Sequence, residues 1–253
     1  MSVYARYEHQ GRVCYGLVEG GMIAELRGGL FDPPEPVGGA PLSETEVKLL
    51  APCEPSKILA VGLNYRSHLG SRPAPVCPGI FYKPVSSIQN PGGPISIPAE
   101  ALDVHYEGEL VVVIGAVVSR ASREEAAASV FGVTCGNDVS DRNWQRGEGK
   151  DLQWWRAKGC DTFSPFGPFI VTGADYGDLG LETWLNGEVV QSQRTSDLIF
   201  DVPEVIRFIS QWVTLVPGDL IYTGTPGETR RMKAGDVVEV TIEGVGTLSN
   251  PVA

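Results

Sequence analysis

The sequence predicts a β-rich α+β fold, with a small N-terminal β unit ahead of one larger domain. Three observations carry this. Short apolar runs broken by turn residues outnumber helical patterns. The few helical stretches are not regularly interleaved with strands, which speaks against a doubly wound sheet. The 253 residues are enough for one large core with a small unit attached.

Along the chain, "VYARYEHQGRVCYGLVEGGMIAEL" consists of short apolar runs separated by the turn-prone "HQGR" and "EGG". The Pro/Gly-rich "FDPPEPVGGAP" reads as a connector, so the expected units are 1–52 and 53–253. Next, "KILAVGLNY" and "GIFYKP" suit strands, while Pro84 to Glu100 reads as a long irregular loop, too rich in Pro and Gly for regular structure. "SREEAAAS" predicts a helix with a capping box, Ser122 at N-cap and Glu125 at N3. "DVPEVIRFISQWV" predicts another, with Asp201 and Glu204 in the same roles. The Asn-Gly pair of "TWLNGEVVQ" signals a hairpin, and "DLIYTGTP" and "DVVEVTIEGVGTL" return to strand.

The formal charge of −11 argues against a nucleic-acid surface, which needs clustered Lys and Arg, and favours attraction of a divalent cation. No stretch approaches the roughly 18 to 20 apolar residues of a membrane span, and "MSVYARYEHQ" has no signal-peptide pattern. The five cysteines lack CxxC spacing and read as free thiols of a cytoplasmic protein.

Two acids stand out in "VHYEGELVVVIGA". Glu107, Glu109, Val111 and Val113 share one strand face, and Leu110, Val112 and Ile114 the other. Further along both faces are apolar, so the strand is expected to be covered on both sides. Two carboxylates about 7 Å apart on one dry face repel, and burying either without a partner costs several kcal/mol. Either this end of the strand protrudes into water, or a positive group sits between the acids. Gly108 leaves room for a close approach from the opposite face. A second apolar run, "VFGVTCGNDVSDRNWQ", ends in Asp138, a turn residue if taken alone, and Arg142, Gln145 and Lys158 follow. Three carboxylates suit Mg2+ or Mn2+ better than zinc, and the three histidines form no metal-binding pair.

From about Lys57 to Val252 the chain resembles the fumarylacetoacetate hydrolase family. The resemblance rests on the ordered motifs "VGLNYRSH", "FYKP", "YEGELVVVIG", "GNDVSDRNWQ", "AKGCDTFSPFGP", "LNGEVVQ", "GDLIYTGTP" and "KAGDVVEVTIEGVGTLSNPV". It implies a mixed β-roll or sandwich fold of that family's C-terminal domain type and a homodimer. It further implies that Glu107, Glu109 and Asp138 hold Mg2+ or Mn2+, with Arg142, Gln145, Lys158 and Thr225 lining the pocket. His68 matches the family's loop histidine, which takes or delivers a proton.

Two departures bear on the activity. Hydrolytic and decarboxylating members commonly carry a glutamate three residues after that histidine, where this chain has Ser71, and no acid occurs between Glu54 and Glu100. After "TGTP", the stretch "GETRR" brings Arg230 and Arg231, either solvated or reading a second substrate carboxylate. The chemistry implied is enolate formation from a 2-oxo or 2-hydroxy-dienoic acid. Without the acid, isomerisation of a 2-hydroxyhepta-2,4-diene-1,7-dioate-type substrate, as in aromatic catabolism, is favoured over C–C hydrolysis or decarboxylation. A non-catalytic 2-oxo acid binder is the reading of a different class.

Overall fold

The computed structural model describes residues 1–253. Strands dominate, in a main sheet of 13, a second sheet of four and a two-stranded pair, Val104–His105 with Ser140–Asp141. The central path of the main sheet runs Met22–Arg27, Arg12–Glu19, Ser2–His9, Ser164–Thr172, Val130–Asn137, Gly108–Ile114, Leu220–Tyr222, Ile58–Gly62 and Gly79–Lys83. Most neighbours are antiparallel, but Leu220–Tyr222 and Ile58–Gly62 pair in parallel, so the sheet is mixed. The second sheet contains the expected hairpin, Gly180–Leu185 and Glu188–Arg194, joined by Asn186 and Gly187. Val237–Ile242 and Gly246–Pro251 complete it.

The strand Gly108–Ile114 is buried at every position. Its alternation is the one the sequence predicts. Leu110, Val112 and Ile114 join a core with Val240, Ile242 and Leu248 of the second sheet and with Val205, Ile206 and Ile209 of the helix Val202–Ser210. Val111 and Val113 enter a different core with Ala60, Phe166, Ile170 and Tyr222. A strand buried on both faces in this way is rigid, which suits it to carry functional side chains at its end.

The sheet continues across residue 52. Ser2–His9 pairs with Ser164–Thr172 through Ser2–Thr172, Val3–Val171 and Tyr4–Ile170, and Tyr4, Leu26 and Leu30 share the core of Val111 and Phe166.

The helix Arg123–Ala128 has the reciprocal capping box of Ser122 and Glu125. At Val202–Ser210 only half of the expected box forms. The Asp201 carboxylate accepts from the Glu204 N–H, but the Glu204 carboxylate turns to Arg207 and leaves the cap. The segment from Pro84 to Glu100 is more ordered than its composition predicts. It contains a 3-10 turn, Val85–Ser87, and Ile88–Gln89, which pairs in parallel with Ser164 and Pro165. Two further one-turn helices, Arg142–Arg146 and Trp155–Gly159, are too short for a readable 3.6-residue period.

Candidate metal centre and substrate cleft

The two acid-bearing segments are neighbours in the main sheet. Gly108 lies opposite Asn137, the Glu107 N–H donates to the Asn137 side chain at 2.9 Å, and the Asp138 N–H donates to the Glu107 carbonyl at 2.9 Å. Glu107 and Asp138 are therefore held side by side at the ends of two antiparallel strands. Glu109 projects from inside the first. All three carboxylates are buried, and each offers an oxygen within 4.8 Å of the others.

Two glycines permit this. A Cβ on Gly108 would lie 1.9 Å from the Thr183 hydroxyl, so the second sheet packs directly on the bare backbone there. Gly224 adopts φ +108°, and its N–H donates to Glu109 at 2.7 Å.

Around the acids the chain places three cations. Arg142, at the start of its one-turn helix, meets Glu107 at 2.5 Å and also donates to Gln145 and Thr229. Lys158 lies between Glu107 at 2.5 Å and Asp138 at 2.6 Å. Lys83 meets Asp138 at 2.5 Å and donates to the Lys158 carbonyl. Lys158, which alone in sequence reads as an ordinary surface residue, is buried, and so is Lys83.

Charge is unevenly shared. Glu107 and Asp138 each have two cationic partners; Glu109 has none within ion-pair distance. Burial raises the Glu107 carboxyl, but Arg142 and then Lys158 outweigh it and pull it well below the usual carboxylate range. Glu109 goes the other way. Burial, then repulsion from Asp138 and Glu107, push it well above that range. An all-oxygen set with one uncompensated buried carboxylate fits a hard divalent cation, so the residues present suit Mg2+ or Mn2+.

Glu107 and Glu109 open onto a cleft of about 120 Å³ also lined by His68, Arg142, Gln145, Lys158 and Thr225. The structure thus brings together the residues that the sequence singled out. Thr225 is held tightly there, donating its hydroxyl to the Gly108 carbonyl at 2.9 Å and accepting from Gln191 at 2.8 Å. His68 sits on the 3-10 turn Arg66–His68, with Nδ1 2.5 Å from the Gly227 carbonyl. A carbonyl only accepts, so Nδ1 carries the hydrogen and Nε2 is the basic nitrogen. Burial lowers the His68 pKa against the opposing pull of Glu107. Ser71 is exposed, and the histidine is oriented by main chain instead of by a glutamate.

Arg230 and Arg231 are both exposed, and neither lines the cleft. Arg230 pairs with Glu188 at 3.2 Å. Sequence reasoning missed Lys83, although its signal lay in the lysine that closes "GIFYK", an apolar strand.

A family model for the fumarylacetoacetate hydrolase C-terminal domain matches residues 57–253, and an N-terminal family model, Rv2993c-like, matches residues 4–52. The chain belongs to the fumarylacetoacetate hydrolase family. It superposes on a crystal structure of 2-hydroxyhepta-2,4-diene-1,7-dioate isomerase from Mycobacterium marinum with a TM-score of 0.92 and 42% identity, covering 100% of this chain and 98% of that one. A maleylpyruvate hydrolase from Sphingobium sp. SYK-6, solved with manganese(II) and pyruvate, gives a TM-score of 0.81 at 28% identity over 100% and 99% of the two chains. An oxaloacetate tautomerase of Xenopus laevis is 42% identical over 225 residues, 83% of this chain and 70% of that protein. Within the family, then, relatives on both sides of the hydrolase and isomerase divide share this architecture.

Proposed function

We propose that this fumarylacetoacetate hydrolase family chain is a divalent-metal-dependent enzyme acting on a 2-oxo or 2-hydroxy-dienoic acid, and that its reaction is the isomerisation of a 2-hydroxyhepta-2,4-diene-1,7-dioate-type substrate. The observation that carries the reading is Glu109, a buried carboxylate without a protein cation, packed against two others. Bound by Glu107, Glu109 and Asp138, Mg2+ or Mn2+ would supply a Lewis acid for the substrate's carboxylate and adjacent oxygen.

The chain's own groups account for the remainder. Moving a proton between carbons of such an acid builds negative charge on the 2-oxygen, and Lys158 and Arg142 line the same cleft with fixed positive charge. The proton needs an acceptor that later returns it. His68 Nε2 serves, because its other nitrogen is committed to Gly227. A carbonyl partner fixes the tautomer, but Nδ1 lacks the carboxylate of a His–Glu pair and Ser71 stands where such an acid would be. The proposal therefore gives His68 the movement of a proton between substrate carbons and not the activation of a water for C–C hydrolysis.

The second reading is tautomerisation or C–C cleavage of a shorter 2-oxo acid, supported by the tautomerase and hydrolase relatives. The discriminating experiment offers oxaloacetate, an acylpyruvate and a 2-hydroxydienedioate in parallel, with Mg2+ or Mn2+, with and without chelator, followed by ultraviolet absorbance and NMR. Chelator-sensitive isomerisation alone supports the proposal; chelator-sensitive C–C cleavage transfers it to the hydrolases. Binding of these acids without turnover would make the chain a non-catalytic binder.

A homodimer in the cytoplasm belongs to the same proposal. Support for the compartment comes from five cysteines that are all unpaired, and no helix is long and apolar enough to cross a membrane. Sedimentation would test the dimer.

A further inference from the structure

Two arginines line the cleft and take no part in the acid cluster. Arg72 follows the His68 turn and folds back on it, donating from Nε to the Leu69 carbonyl at 3.0 Å and from Nη2 to the His68 carbonyl at 3.2 Å. Arg146 ends the one-turn helix that begins at Arg142. Both are largely exposed, as Arg230 and Arg231 are, but unlike those two they line the same cleft as Glu107, Glu109 and Lys158.

Neither has a carboxylate within ion-pair distance, unlike Arg142, which is held by Glu107. Arg66, Arg120 and Arg231 are likewise without an ion-pair partner but do not line the cleft, while Arg230 and Arg194 pair with acids on the surface. Burial, followed by repulsion from Arg142 and Arg72, holds the Arg146 pKa below its usual value, so the three guanidiniums feel one another. An anion between them would relieve that repulsion, and a planar carboxylate matches the guanidinium fork.

We infer that Arg72 and Arg146 bind the distal carboxylate of the substrate, so that the enzyme selects 2-oxo or 2-hydroxy diacids over monoacids of the same length. The inference rests on the proposed 2-oxo acid chemistry, with the head of the substrate at the three acids and its tail at the cleft mouth. It gives to Arg72 and Arg146 the role that the sequence alone offered to Arg230 and Arg231.

The test is calorimetric binding to the Mn2+-loaded protein, independent of turnover. The probes are saturated 2-oxo diacids of five to seven carbons, each paired with the 2-oxo monoacid of equal length. Wild type should bind at least one diacid about tenfold more tightly than its monoacid partner. Arg72→Met and Arg146→Met should each weaken that diacid about fivefold and the double variant abolish the preference, with monoacid affinity unchanged as the control for folding. Arg146→Lys should restore part of it. A preference that survives in the double variant, or no preference in wild type, overturns the inference and leaves the 2-oxo acid reading standing. Failure of every acid, monoacids included, to bind overturns that reading and this inference with it.

Discussion

At the scale of single residues, the site is an electrostatic arrangement in which one acid is left over. Glu109→Gln keeps the shape and the Gly224 contact while removing the uncompensated charge. Metal affinity should fall by more than the roughly 10–100-fold typical of changes behind the ligands, as read by calorimetric titration. In the presence of chelator the variant should melt no lower than wild type, because burial and the neighbouring acids already push the Glu109 carboxyl well above the usual range and the neutral amide replaces it at little cost; lower melting would show that Glu109 is structural. Lys83 behaves oppositely. Its ammonium is buried against Asp138, so Lys83→Met leaves a buried carboxylate short of one partner and should cost about 3–5 kcal/mol in denaturant unfolding. Asp138→Asn should offset much of that loss in a double-mutant cycle, since the two side chains touch. His68 gives the pH dependence. Burial favours its neutral form, so proton acceptance should persist as pH falls past the ordinary imidazole value of about 6.5. The unfolded chain binds that proton first, so stability should decline as pH drops through the same region, and His68→Gln should flatten that part of the profile. The residues legible in sequence were those on a strong period or beside a motif. Glu107 and Glu109 showed because valines and leucine fixed the strand around them. Arg72 and Arg146 did not, and Lys83 was passed over even inside "FYKP", because a lone lysine or arginine reads as solvated until the fold shows what surrounds it.

At the scale of elements, the cradle depends on the close approach of the two sheets. Gly108 is where they meet, with Thr183 against its bare Cα and Gln191 accepting its N–H at 3.1 Å. Gly108→Ala should push Thr183 away, lowering stability by about 1–3 kcal/mol in denaturant unfolding and disturbing Glu107 and Glu109 on either side. Coupled losses of stability and metal affinity would place the fault at this contact, whereas a stability loss with normal metal affinity would show that the strand end adjusts independently. The elements themselves were largely readable: the central strand, the Asn-Gly hairpin and the Arg123–Ala128 helix each carry a local chemical signal. What the sequence hid was non-local. Glu204 has the right spacing for a capping box, yet an arginine three residues on competes for it. Ile88–Gln89 becomes strand only because Ser164–Thr172 comes alongside.

At the scale of the molecule, the continuity of the main sheet decides how the chain unfolds. The N-terminal strand Ser2–His9 completes the hydrogen bonding of Ser164–Thr172, and the latter pairs in turn with Val130–Asn137, which lies beside the acid-bearing strand. Tyr4, Leu26 and Leu30 share apolar contacts with Val111 and Phe166, so the N-terminal unit and the acid cluster stand on one core. The composition change near residue 52 signals a connector but cannot reveal strand pairing across it, because pairing partners 170 residues apart leave no local trace. Calorimetry should therefore show a single unfolding transition for residues 1–253, with the N-terminal unit melting together with the site. If the proposed site binds it, Mn2+ at about 100 times its dissociation constant should stabilise the folded state by roughly 2.7 kcal/mol, which for a chain of this size corresponds to an upward shift of about 5–10 °C. That shift should move the whole endotherm and vanish in Glu109→Gln. A separate, metal-insensitive transition for the first 52 residues would mean that the shared core does not couple the two units. Deleting those residues should then be harmless; under the single-transition expectation, deletion bares the Ser164–Thr172 edge and its buried Ile170 and Val171, giving aggregation instead of a metal-binding protein.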